Sequence, residues 1–177
     1  MEMMNQTTAT RTLGMSTVLT VAGAAFIMLA SQLSVHLPFT PVPITGQTFA
    51  VILWGLLFGS RQGASASATY LSAGLLGLPV FADFTAMTAL VGPTSGYLLG
   101  FIPAAWLAGY LKETGWTGSF VGAFGSALLA SMPIFVLGSI VLASFVGMGN
   151  VWMMGVVPFL IGDVIKSGIA ALITNRT

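Results

Sequence analysis

Long apolar runs, separated by short segments that contain Pro, Gly or charged residues, make up most of the chain. A helix needs about 20 apolar residues to cross about 30 Å of hydrocarbon. Six runs come close to this length and predict six transmembrane helices: residues 13–33, 48–58, 63–78, 96–111, 120–145 and 151–173. The second and third runs are short, so we expect them to lie inside the bundle, to tilt, or to thin the bilayer locally.

The composition excludes a water-soluble fold. Of the 177 residues, 56% are apolar and 5% are charged, whereas a soluble domain has about 25% charged residues. We therefore expect an all-α integral membrane protein, with residues 1–177 forming a single membrane domain. The net charge of +1 argues against a nucleic-acid partner, which needs clustered Lys and Arg. The chain has no cysteine, so it has neither disulfides nor thiolate chemistry.

The few cations indicate an orientation in the membrane. Four of the five lie between or beyond the predicted spans on one side of a six-span topology: Arg11, Arg61, Lys112 and Arg176. The loops on the other side contain no Lys or Arg. By the positive-inside rule, this asymmetry predicts a multi-pass protein of the cell (inner) membrane with both termini in the cytoplasm.

Small residues repeat every four positions along the first span, at Ser16, Thr20 and Ala24. Small side chains let two helices approach closely in lipid. The stripe therefore predicts either a contact inside the bundle or a docking face for another membrane protein.

Asp163 and Lys166 are the most informative pair because they lie inside the sixth span, with Asp163 near the middle of the bilayer. A charge at that depth costs about 2.5–3.5 kcal/mol on the insertion scale. The spacing of three puts both groups on one helical face, where they can pair. A structural ion pair is one interpretation. Since buried pairs stabilise poorly compared with apolar residues, we favour a polar ligand site.

Two loop segments on the side without cations are further candidates. Asp83 lies among Phe81, Phe84, Met87 and Leu90, so this hydrophobic loop is expected either to fold back over a cavity as a lid or to leave Asp83 simply solvated. Residues 92–97 (GPTSGY) begin the fourth span. Their amides and hydroxyls form a candidate site for an anionic or polar group, with an ordinary N-cap as the alternative.

His36 is interpreted as a surface residue. A metal site would need further His or carboxylate ligands near it, and no nucleophile, base and orienting group can be assembled around it. The sequence therefore does not predict an enzyme.

Four motifs occur in order: residues 41–49 (PVPITGQTF), 77–81 (GLPVF), 92–101 (GPTSGYLLGF) and 163–166 (DVIK). Together they closely resemble the BioY family, the biotin-binding S components of energy-coupling factor transporters. The resemblance covers nearly the whole chain. It implies six transmembrane helices in one compact bundle, with a ligand cavity closed by extracytoplasmic loops.

The resemblance also implies a function and a site. Biotin would be bound with high affinity from outside and delivered inward by an energy-coupling transmembrane subunit and two ATP-binding cassette ATPases, the only subunits that bind ATP. No cofactor is implied, and the oligomeric state stays open. The implied ligand-binding residues are Asp163, Lys166, Asp83, Gln47, Thr94 and Tyr97, and Phe81 and Trp54 are implied to cover the ring. S components often dock through an Ala-x-x-x-Ala pattern in the first helix, where this chain has Ser16, Thr20 and Ala24.

Two other functions remain open from the residues alone. One is an S component for another small vitamin. The other is an ion-coupled secondary transporter that uses Asp163 as a proton or cation site, although spans one to three contain no counterpart of Asp163 or Lys166.

Overall fold

In the computed structural model, the backbone is described for residues 2–176 and the side chains for residues 14–176. This part of the chain is almost wholly helical. Its helices are α1 (Glu2–Ser31), α2 (Gln47–Phe58), α3 (Ser60–Leu75), α4 (Ser95–Glu113), α5 (Phe120–Val146), α6 (Met148–Val151) and α7 (Val157–Thr174). A π-helical turn, Trp152–Val156, joins α6 to α7, so these three segments form the sixth long helical region.

The six helical regions of the described chain confirm the expected all-α bundle. Three helices, Gly14–Ser31, Phe120–Val146 and Met148–Thr174, are long and apolar enough to cross a membrane by length and composition. α2 has 12 residues and α3 has 16, as the two short runs predicted. Because α2 packs against α1, α3, α4 and α7, it lies inside the bundle.

α4 is the central helix and packs against α2, α3 and α5. Its small residues allow this close packing: a Cβ atom added to Gly100 would lie 2.6 Å from Cα of Ile134 on α5, and one added to Gly109 would overlap the backbone of Ser60 on α3. Ala104, on the same helix, is fully buried. The bundle is therefore held by backbone approach at small residues, as expected in lipid.

A polar cluster ties α2, α3 and α4 together at one end of the bundle. The Glu113 carboxylate accepts hydrogen bonds from the Ser60 amide at 2.7 Å and from the Ser60 hydroxyl at 2.8 Å. Lys112 donates to a carbonyl in the last turn of α2. Arg61 is the second residue of α3, at the same end, so two of the four cations expected on one side lie together. The side chain of Arg11 lies outside the described residues.

Two loops form the opposite end. The first, which we call the hairpin loop (residues 32–46), contains β1 (Ser34–Val35) and β2 (Ile44–Thr45), paired antiparallel around the proline-rich segment. The second, which we call the lid loop (residues 76–94), contains two short 3-10 turns, Ala82–Phe84 and Met87–Leu90. The apolar pattern did not predict the hairpin.

Candidate ligand-binding site

A cavity of about 300 Å³ lies between the helices and the two loops. This volume is at the lower end of the range for small-molecule pockets, about 300–1,000 Å³. Most of its wall is apolar and comes from Val42, Phe81, Leu98, Phe101, Ile134, Phe135 and Phe159. All six candidate ligand-binding residues line it: Asp163, Lys166, Asp83, Gln47, Thr94 and Tyr97. The fold thus brings together residues that are up to 119 positions apart (47 to 166).

Asp163, on α7, is a buried acid in this mostly apolar wall. Its side chain is 7% exposed, and its Oδ2 accepts a hydrogen bond of 2.7 Å from the hydroxyl of Ser131 on α5. Ser131 also lines the cavity. Asp163 therefore presents hydrogen-bond acceptors at a position fixed by a neighbouring helix.

Lys166 lies one turn further along α7 and is held by the start of α2. Its Nζ donates to the Thr45 carbonyl at 2.6 Å and to the Thr48 hydroxyl at 3.1 Å. No ion pair within 4.0 Å joins Lys166 to Asp163, so the structure does not show the direct ion pair that was one of the two interpretations of these residues. Each charged group is instead hydrogen-bonded to neutral groups of another element and makes no direct contact with the other.

Gln47, the first residue of α2, has a fixed amide orientation. Its Nε2 donates to the Tyr70 hydroxyl at 2.7 Å, and its Oε1 accepts from the Thr45 hydroxyl at 3.2 Å. The Gln47 side chain is almost fully buried. It therefore presents a preformed amide to the cavity close to the residues that hold Lys166.

Tyr97 connects the cavity to the π-helical turn. Pro158 has no N–H, so the carbonyl of Met154, four residues earlier, lacks its helical donor. The Thr40 hydroxyl of the hairpin loop donates to this carbonyl instead, at 2.7 Å. The Tyr97 hydroxyl donates to the next carbonyl, Gly155, at 2.8 Å. The π turn is thus where the hairpin loop and α4 both attach to the last helical region.

The N-terminus of α4 lines the cavity without a side-chain cap. Thr94 is at the N-cap position, but its hydroxyl donates to the Ala89 carbonyl at 3.0 Å, and the Ser95 hydroxyl donates to the Gly92 carbonyl at 2.7 Å. The alternative of an ordinary side-chain N-cap is therefore wrong. The hydroxyls stabilise the lid loop, and Thr94 does not cap the helix with its side chain. The Ser95 amide donates to the Gly92 carbonyl at 3.1 Å.

Asp83 fastens the lid loop to the hairpin loop. Its Oδ1 accepts from the Ser34 hydroxyl at 2.7 Å, and its Oδ2 lies 3.1 Å from His36 Nε2. Asp83 and Phe84 both have positive φ values, 54° and 55°, which non-glycine residues rarely adopt. His36 is 62% exposed, as a surface residue should be, and it also lines the cavity. Among the described side chains, no group of three metal-ligating residues forms a metal site.

The aromatic residues divide into two groups. Phe81 is 1% exposed and forms part of the cavity wall. Trp54 packs its ring 4.3 Å from Phe58 and 5.9 Å from Phe26 and does not line the cavity, so its implied place over a ligand ring is wrong. Trp54 lies on the face of α2 that packs against α1.

Sequence reasoning missed two residues that hold the charges, Ser131 and Thr48. Thr48 is the first residue of the second apolar run, and Ser131 is one of several serines in the fifth; hydroxyls are common in membrane helices and have many roles there. Only their distance from Asp163 and Lys166 in the folded chain reveals them.

The stripe of small residues on α1 faces α3. The Thr20 hydroxyl donates to Gln62 Oε1 at 3.1 Å, and Gln62 Nε2 donates to the Ser16 hydroxyl at 2.7 Å. Ala24 packs against the hydrophobic core. The structure thus shows the contact inside the bundle, one of the two alternatives, while docking of another protein at this stripe stays a prediction.

Comparison with known proteins agrees with this architecture. The BioY family model matches residues 3–177. The biotin transporter BioY of Thermotoga maritima is 40% identical over 154 residues, which cover 86% of this chain and 89% of the relative. The probable biotin transporter BioY of Pyrococcus horikoshii is 36% identical over 157 residues, 86% of this chain and 91% of the relative. The crystal structure of the S-component for biotin from an ECF-type ABC transporter matches with a TM-score of 0.84 at 26% identity, over 94% of this chain and 92% of that one.

Proposed function

The chain belongs to the BioY family, and on this premise we propose that it takes up biotin. It binds the vitamin in the cavity between the two loops and delivers it inward when an ATP-driven energy-coupling module acts on it. The protein is a transport component and not an enzyme. The observation that carries the proposal is the unpaired Asp163 and Lys166 in the wall of an otherwise apolar cavity.

The polar groups of biotin complement this wall. Its ureido ring has two N–H donors and one carbonyl acceptor, and an apolar sulfur ring and an aliphatic tail complete the molecule. Asp163 accepts from a ureido N–H, and Lys166 donates to the ureido carbonyl. Gln47 offers a further amide from the start of α2, and the aromatic wall at Phe81 and Phe101 covers the apolar ring.

The tail ends in a carboxylate, which needs donors at the far end of the cavity. At the uncapped first turn of α4, beside Thr94, the Ser95 amide already donates to the Gly92 carbonyl, so the amides that follow it supply the N–H groups, at the positive end of a helix dipole. Tyr97 lines the same stretch and adds an aromatic surface along the tail. This arrangement needs no arginine, and the described residues that line the cavity include none.

Asp83 holds the lid loop in place rather than contacting the ureido ring of biotin. Both of its oxygens are engaged by the hairpin loop, at Ser34 and His36, and the two loops together roof the cavity. Asp83 therefore closes the site over the bound vitamin.

The remaining parts of the transporter lie in partner subunits. An energy-coupling transmembrane subunit and two ATP-binding cassette ATPases supply the energy, and ATP binds only to the ATPases. The chain itself takes biotin as its ligand and no cofactor. The small side chains of Ser16, Thr20 and Ala24 form a stripe on α1. We expect the transmembrane partner to dock at the edge of this stripe.

The chain is a multi-pass membrane protein, and the distribution of cations supports its placement in the cell (inner) membrane. Arg61 and Lys112 lie at the end of the bundle opposite the cavity. With that end in the cytoplasm, both termini are cytoplasmic and the cavity opens to the outside. The domain spans residues 1–177.

Equilibrium binding of labelled biotin to the purified chain in detergent tests the proposal. We expect saturable, near-stoichiometric binding that unlabelled biotin displaces and that thiamine and riboflavin do not. Displacement by thiamine or riboflavin would indicate an S component for another vitamin. No binding to a well-folded sample would remove the biotin assignment and favour an ion-coupled role for Asp163.

A further inference from the structure

Asp163 and Lys166 would be expected to form an ion pair. They lie three residues apart on α7, a spacing at which opposite charges meet on a helix surface, and their attraction is strong away from water. Nevertheless Asp163 binds the Ser131 hydroxyl at 2.7 Å and Lys166 binds groups at the start of α2. These hydrogen bonds to neutral groups are made in place of a direct ion pair.

The hydrogen-bond capacity of the two groups shows what this separation achieves. A lysine ammonium has three donors, and Lys166 uses two of them, on Thr45 and Thr48. Asp163 uses Oδ2 for Ser131, and its Oδ1 has no hydrogen bond to any described residue. One donor of Lys166 and one acceptor of Asp163 therefore have no hydrogen bond within the described chain, and both residues line the cavity. A ureido group, with an N–H next to its carbonyl, complements such a pair.

We propose that Ser131 is a positioning residue for the ligand: its hydroxyl holds the Asp163 carboxyl group apart from Lys166 and so keeps both charged groups free for the ureido group. This inference rests on the proposed binding of biotin. Ser131 is 3% exposed and belongs to a different helix from the two charges. Its Oγ lies 2.7 Å from Asp163 Oδ2 and 2.8 Å from the Leu128 carbonyl of its own helix. Because a hydroxyl has one proton, we assign that proton to the carboxylate, which is the stronger acceptor.

Loss of the hydroxyl removes the one hydrogen bond that Asp163 makes within the described chain. The Asp163 side chain is then free to turn towards Lys166, and an ion pair would consume the donor and the acceptor that the ligand needs. Biotin would have to break this pair before it could bind. The cost should therefore appear in affinity and should depend on Lys166.

Two substitutions of nearly equal shape separate the hydroxyl from packing. Ser131→Thr keeps the hydroxyl and Ser131→Val lacks it, so any cost of the added bulk at this buried position is shared. We expect Ser131→Val to bind biotin about ten- to a hundredfold more weakly than Ser131→Thr, the range for hydrogen bonds to charged groups. Ser126→Ala is the matched control, since Ser126 is a fully buried serine on the same helix without a hydrogen-bond partner; its affinity should equal that of the parent.

The dependence on Lys166 gives a readout that a purely structural role would not produce. In a Lys166→Met background there is no cation for Asp163 to pair with, so the ratio between Ser131→Thr and Ser131→Val should fall to less than about threefold. Equal affinities of the Ser131→Thr and Ser131→Val proteins in the parent background would overturn the proposal, and so would an unchanged ratio in the Lys166→Met background. Failure of the parent to bind biotin would instead remove the proposed function itself.

Discussion

At the scale of single residues, the site depends on two charged side chains that the bundle tolerates at a cost of about 2.5–3.5 kcal/mol each. The two charged groups make no direct contact with each other. Asp163 is satisfied by Ser131 and Lys166 by Thr45 and Thr48. Because the partners are neutral, binding of a ligand adds hydrogen bonds to charged groups without first breaking an ion pair.

Lys166→Met tests the role of the cation. The substitution keeps much of the length of the side chain but removes the ammonium, and with it one charged hydrogen bond to the ligand. We expect biotin affinity to fall about ten- to a hundredfold, measured by equilibrium binding to purified protein. Lys112→Met is the control, because Lys112 lies at the other end of the bundle and its removal should leave affinity unchanged. Equal losses in both variants would contradict the assignment.

The two charges could be found from the sequence, and their partners could not. Asp163 and Lys166 stand out because charges are rare and costly inside an apolar run. Ser131 and Thr48 are 32 and 118 positions away from the groups they hold, and a hydroxyl in a membrane helix has many neutral roles. The ion pair was one interpretation for the same reason, since helical spacing identifies neighbours on one helix but not the groups of other helices that compete for them.

At the scale of helices and loops, α4 organises the bundle through small residues. Gly100 and Gly125 allow a matched test: a Cβ at Gly100 would press on the backbone of α5, whereas one at Gly125 would meet no atom within 4 Å. Gly100→Ala should lower the melting temperature because the two helices must move apart. Gly125→Ala should leave it unchanged or raise it, since alanine favours a helix over glycine by about 1 kcal/mol. Thermal unfolding in detergent measures both, and the reverse order would refute this account of the packing.

The hydroxyl of Thr40 fastens the hairpin loop to the π turn, so a single substitution can test this attachment. Thr40→Val removes the donor to the Met154 carbonyl, which Pro158 leaves without a helical partner. A net hydrogen bond is worth about 1 kcal/mol, so we expect biotin to dissociate about fivefold faster, as followed by chasing labelled biotin with unlabelled biotin. Thr114→Val removes a similar hydroxyl-to-carbonyl bond at the other end and should not change the rate. A Thr40→Val protein that releases biotin at the parental rate would show that this bond does not hold the loop.

The sequence predicts helices here better than loops. Apolar run length identified all six helical regions because crossing the membrane imposes it. The hairpin has two residues per strand, too few for an alternating pattern to appear. Pro158 was a visible signal for the π turn, since it removes a helical donor, but the hydroxyl that compensates comes from Thr40, 114 positions away from Met154.

At the scale of the whole molecule, the cavity and the polar cluster lie at opposite ends of the bundle. The hairpin and lid loops close one end, and Glu113, Ser60 and Lys112 join helices at the other. If the second end is cytoplasmic, ligand enters from outside and the partners that bind ATP act from inside. The cations that predict the orientation from the sequence therefore also predict the direction of uptake.

Because the chain has no cysteine, a single introduced cysteine reports this orientation. Gly149 lies in α6, at the start of the last helical region, where an added side chain meets no atom within 4 Å, and Gly118 lies between α4 and α5. The two variants are Gly149→Cys and Gly118→Cys. In intact cells a membrane-impermeant maleimide should label the first variant and not the second. Labelling of Gly118→Cys alone would invert the orientation.

The central claim is that biotin binds with its ureido ring between Asp163 and Lys166. The most direct measurement is an experimental structure of the chain with biotin bound. We expect a ureido N–H within hydrogen-bond distance of an Asp163 oxygen, the ureido carbonyl within that distance of Lys166 Nζ, and Ser131 still bound to Asp163. Biotin elsewhere in the cavity, or bound while Asp163 and Lys166 form an ion pair with each other, would contradict the account.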